Sequence, residues 1–156
     1  MVEIGSFKQF RSDGNIIGED MTVEMMIGLG WQPSTITQLN WICNGQLVSK
    51  CFQFGVLPKL LPSRSAIVAL VSKNEEQSQE ELIVINADGS DKFRISNIQD
   101  IAGRQREGVF CWFEPPRNTS QSSFGAVFRS IEDGAMFQVD IDAVTGQVIN
   151  TYKLQR

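Results

Sequence analysis

Four glycine turns set the pattern this chain has to obey. Asn44-Gly45, Asp88-Gly89, Asp133-Gly134 and Thr145-Gly146 each interrupt short runs rich in apolar and β-branched residues. Runs that short, separated by turns of that type, build antiparallel strands and leave little room for long helices. Residues 39–43 and 46–52 flank Asn44-Gly45, whose two positions both accept positive φ. The spacing predicts a two-residue hairpin with Cys43 opposite Gln46 and Trp41 opposite Val48. Residues 66–71 are continuously apolar, the pattern of a strand covered on both faces.

Further strands are predicted over 82–85, 93–96, 109–113, 125–129, 136–141 and 147–152. Pro58 and Pro62 bracket a connection with a turn of helix, and 97–103 reads as a helical turn. The first 36 residues are less regular. A strand over 4–10 leads to a turn at Ser12-Asp13-Gly14-Asn15. Asp20 or Thr22 then caps a short helix through Met26, with Met25, Met26 and Leu29 on its buried side and Gly28 and Gly30 at its end. The expectation is one domain over 1–156, with 1–36 irregular (a short helix and strand) and 37–156 antiparallel β.

Two stretches look alike. AIVALVS, an acidic loop and ELIVINADGSDKFRIS form one; FGAVFRSIEDGAMFQVDIDAVTGQVINTYK forms the other. Each reads strand, turn, strand, glycine turn, strand. Both resemble the antiparallel blade unit of β-propellers, over residues 64–96 and 124–153. At 156 residues the chain is too short to close a ring of such units, which leaves an open or doubled antiparallel sheet. Ten phenylalanines against one tyrosine supply apolar area without a polar handle, so they read as core. The fold class is mainly β: antiparallel sheets in two layers, a sandwich or blade-like meanders, with one or two short helices near the N-terminus.

Composition narrows the chemistry. The apolar fraction of 42% and charged fraction of 21% are those of a soluble globular chain. Histidine is missing altogether, which removes Ser-His and Cys-His nucleophile systems and every imidazole metal site. A net charge of −4 argues against nucleic acid as a partner, because that affinity comes from clustered Lys and Arg. Such a surface suits a basic protein instead. Cys43, Cys51 and Cys111 form no ligand spacing and read as reduced, small buried hydrophobes. The N-terminal residues carry no basic region followed by an apolar one, and no run is long enough to span a bilayer. A cytoplasmic protein without membrane contact is expected.

Glu75, Glu76, Glu80 and Glu81 form the densest acidic patch, extended by Asp88 and Asp91 in the next turn. They are the candidate partner-binding residues. Asp140 and Asp142 share a strand face and are half of what a hard cation would need. An outward polar face with Val139 and Ile141 inward explains them without a metal. Arg104, Arg106 and Arg117 are the one basic cluster, with Glu107 and Glu114 near enough in sequence to neutralise them. In the strand at 109–113, one of Phe110, Trp112 and Phe113 must point away from a single core; a second covering layer is favoured over an exposed patch. Neither phosphate-loop spacing nor a nucleophile motif occurs.

No catalytic residue, metal or cofactor is therefore assigned. The reading is a non-catalytic protein that binds another protein, most concretely an acidic immunity or antitoxin protein neutralising a basic, nuclease-type toxin. The alternatives are a structural or regulatory subunit (a homodimer among them) associating through a sheet edge, and a carboxylate-based hydrolase or ligand carrier.

Overall fold

The computed structural model describes residues 2–76, 80–117 and 120–154. Its first sheet contains β1 (Gly5–Arg11) and β2 (Ile16–Gly18). After the short helix α1 (Val23–Gly28) it is completed by β3 (Ile36–Cys43) and β4 (Gln46–Cys51), in the order β2-β1-β3-β4. The middle sheet is a meander of β5 (Val56–Leu60), β6 (Ala66–Ser72), β7 (Glu80–Asn86) and β8 (Asp91–Ile95). The third sheet is a five-stranded meander of β9 (Ile98–Ile101), β10 (Arg104–Glu114), β11 (Ser123–Ser130), β12 (Met136–Asp142) and β13 (Val148–Lys153). All pairings are antiparallel. No helix among the described residues is long and apolar enough to cross a membrane.

The mainly β, antiparallel class holds, but the sheets form three layers where two were expected. Side chains alternate across a strand, and in β6 both sets find a partner. Ile67 and Ala69, with Ile83 and Ile85 of β7, pack against Phe7, Leu39 and Trp41 of the first sheet. Val68 and Leu70, with Leu82 and Val84, pack against Phe110, Phe128 and Val139 of the third. Ile67, Val68 and Ala69 are each 0% exposed, so β6 has no solvent face. Trp41 ties the first layer to the second: its indole N–H donates to the Ala87 carbonyl at 2.6 Å. Gly89 beside it has φ +94°, and a Cβ there would stand 2.8 Å from Val48 Cγ1. Both backbone and space exclude another residue.

The hairpin at Asn44-Gly45 pairs Cys43 with Gln46 and Trp41 with Val48, as predicted. Two local expectations are corrected. Residues 58–62 do not turn as a helix; Pro58 lies in β5, an edge strand opposite Ala69, where a missing N–H is tolerated. Residues 97–103 form β9 and a two-residue turn at Ala102-Gly103, both at positive φ. Alanine seldom adopts that conformation, so the turn carries no sequence signature. Within residues 1–36 the expected strand and short helix are present as β1 and α1, and β2, which was not expected, pairs with β1.

Candidate protein-binding surface

Two of the predicted acidic residues, Glu81 and Asp91, are ion-paired within the fold. Glu81 of β7 accepts Lys73 at 2.8 Å and also Arg94 of β8. Arg94 reaches Asp91 at 3.2 Å, and Asp91 accepts Lys50 of β4 at 3.1 Å. The resulting chain Lys73–Glu81–Arg94–Asp91–Lys50 alternates in sign and joins the edge of the first sheet to that of the second. Asp88 orders its own turn, its Oδ1 accepting the Ser90 N–H at 2.9 Å and hydroxyl at 2.6 Å. Those bonds hold its carboxyl below the usual range. Glu80 is half-buried, and burial pushes its carboxyl up. Glu75 and Glu76 are exposed. Of the six acids, Glu81 and Asp91 belong to the sheet-edge network, Asp88 holds its own turn, Glu80 is half-buried, and Glu75 and Glu76 are exposed. Glu80, Glu81, Lys73, Arg94 and Glu107 line a cleft of about 490 Å³ between the middle and third sheets.

The basic cluster does not assemble as one site. Arg104 meets Glu132 at 3.3 Å and Asp133 at 3.4 Å, while Arg106 meets Asp133 at 3.1 Å and lies over the Phe137 ring. Glu132 and Asp133, not the predicted Glu107 and Glu114, neutralise these arginines; the turn after β11 brings them in. The Asp133 carboxyl is lowered to about 2 by the Ala135 N–H and then by Arg106. Arg117 stands apart, its guanidinium 3.9 Å from the centroid of the Tyr152 ring.

Asp140 and Asp142 also go separate ways. Asp140, 1% exposed, accepts the Arg117 backbone N–H and the Gln138 amide, each at 2.9 Å. Gln138 holds the Pro115 carbonyl at 2.9 Å, so these residues pin the loop after β10 over the outer face of the third sheet. Asp142 accepts the Val144 N–H in the next turn. Among the described residues no group of three metal-ligating side chains comes together.

Two of the apolar features that reach solvent bear on binding. A register shift between Phe110 and Trp112 inserts an extra residue into β10. Phe110 and Phe113 consequently both face the core, and Trp112 faces out, 42% exposed, its indole N–H on Glu114 at 2.8 Å. The covering layer expected over Trp112 does not form. Cys51 is exposed as well, where a buried residue was expected.

The second feature went unread in the sequence. Thr22 does cap α1, accepting the Met25 N–H at 3.2 Å, but the helix has no buried residue. Met25 and Leu29, expected to face inward, are 48% and 62% exposed, and Val23 and Ile27 are both 69% exposed. The segment is clamped at both feet. Glu19 is bonded by Arg64 at 2.7 Å and by the Phe7 N–H at 2.9 Å. At the other end Arg11, itself buried, bonds the Gln32 carbonyl and stacks 5.0 Å from the Trp31 ring. The available signal was apolar residues on nearly every side of a short helix, which picks out no single buried face.

No protein-family model matches the chain, and no curated protein matches it. Among solved structures it is similar to one chain of the structure of Tne2 in complex with Tni2, with a TM-score of 0.93 and 33% identity. The alignment covers 99% of this chain and 100% of that one. At that identity over the full length, the protein belongs to the same family as that chain of the Tne2–Tni2 complex.

Proposed function

We propose that this protein is an immunity protein, a non-catalytic inhibitor that binds and neutralises a toxin protein. The observation that carries the reading is the full-length likeness, 33% identical, to a chain solved in complex with a second protein. Absent histidine and an exposed apolar helix accord with a chain whose work is binding. Within this reading Glu75 and Glu76 steer the approach of a basic surface on the toxin, since complementary fields act mainly on association rate. Glu80, Glu81, Asp88 and Asp91 act behind them, three of the four already engaged within the chain. That pairing weakens the case for a strongly basic, nuclease-type target.

The test is capture of the tagged protein from its own cells and identification of what it holds. The recovered partner is then expressed alone and together with this chain in a susceptible host. Growth arrest by the partner alone, relieved by co-expression, is the expected result. Recovery of the bait without a partner, or of a partner that leaves growth untouched, would overturn the proposal. Glu75→Lys with Glu76→Lys should slow association and flatten its salt dependence. Glu81→Lys must be kept separate, because it also breaks the contacts to Lys73 and Arg94.

A further inference from the structure

We propose that α1 and its clamped loop are the element this protein inserts into its toxin, filling an apolar cleft with a basic rim. The inference rests on the immunity reading and names the surface that performs it. Val23 and Ile27 on one side of the helix and Met25 and Leu29 on the other present together on the order of 400 Å² of apolar side chain, the size of the largest apolar patch on a typical monomer, which is often functional. That is about half of what one partner contributes to a standard protein interface. A helix apolar on nearly all sides is ordinarily buried, and here the chain's own sheets half-bury Met26 and leave Val23, Met25, Ile27 and Leu29 exposed.

Two observations define the occupant. The first is charge. Between Arg11 and Lys50 the sequence holds no basic residue, while Asp13, Glu19, Asp20 and Glu24 are acidic. Asp13 and Glu19 are engaged by Arg11 and Arg64. Exposed Asp20 and Glu24 therefore flank the apolar side chains, and their complement is lysine or arginine around an apolar cleft. The second is rigidity. Arg64 on Glu19 and Arg11 on Gln32 and Trp31 fix both ends of the loop, so little order is lost when the helix docks.

The probe is the toxin recovered by the capture above and purified, titrated against the full chain and against Ile27→Ser with Leu29→Ser. Both positions are exposed, so the variant should fold, and an unchanged melting temperature checks this. The dissociation constant should weaken at least roughly 30-fold, the scale of an interface hot spot. Hydrogen exchange on the unmutated complex should slow at the amides of 24–31. Asp20→Lys with Glu24→Lys should lower the association rate several-fold. Binding by the wild type with the apolar variant within threefold of it and no protection of α1 would overturn the inference while the immunity reading stands. Capture of no growth-inhibiting partner would remove the immunity reading and this inference with it. A concentration-dependent dimer abolished by the apolar variant would make a second copy the occupant and would also overturn it.

Discussion

Truncating both faces of β6 tests the three-layer architecture directly. Ile67 and Val68 are adjacent and each 0% exposed, one in the core shared with the first sheet and the other in the core shared with the third. Ile67→Ala removes three carbon groups worth about 0.8 kcal/mol each in transfer. A residual cavity of roughly 70 Å³ adds just under ~2 kcal/mol, for a loss of about 4 kcal/mol. Val68→Ala removes two groups and leaves a smaller void, for about 2.5–3 kcal/mol. Because the two side chains point into different cores, the losses should nearly add, reaching about 7 kcal/mol of the 5–15 kcal/mol typical of a domain. Urea denaturation of the two single variants and the double variant measures this, with Leu57→Ala, 44% exposed on β5, as the control. In a two-layer sandwich one of the two substitutions would face water. Either single variant costing less than about 0.5 kcal/mol would refute the argument, since surface changes fall in that range.

Three further outcomes follow from named contacts. Gly108→Ala places a Cβ 2.3 Å from the Arg129 carbonyl oxygen and 2.5 Å from Phe128 Cζ, so β10 must separate from β11. A loss of about 2 kcal/mol or more is expected in thermal denaturation, as for other overpacked sites. Asp133 has a lowered folded pKa, so its stabilisation is present above the ordinary carboxylate range and is lost as pH falls toward about 2. Asp133→Asn should melt lower than wild type at pH 7, and the gap should close in strong acid. Glu80 has a raised folded pKa, so its contribution is full below the ordinary range and declines as pH rises through the folded value. Glu80→Gln should therefore match or exceed wild-type melting temperature at pH 7, and any gain should vanish at low pH.

The sequence determined, by itself, what depends on local backbone chemistry. Glycine turns and short apolar runs placed nearly every strand from 37 onward, because positive φ and two-residue alternation are properties of neighbouring residues. The uninterrupted run in β6 already implied cover on both faces. Turns without a signature, such as Ala102-Gly103, could not be read this way. Lack of histidine likewise closed whole classes of chemistry before any fold was known. Tertiary structure decided the rest. Glu81 and Asp91 are neutralised by Arg94 and Lys50, and Arg106 by Asp133, through pairs whose separation in sequence hides them. A one-residue shift in β10 turned Trp112 to solvent, a choice that alternation leaves open. Whether α1 is buried depends on whether some distant element supplies a surface to receive it, and the three sheets bury their apolar faces against one another instead. Local periodicity encodes which residues are apolar; only the packing of remote segments decides which of them are left for another molecule to cover.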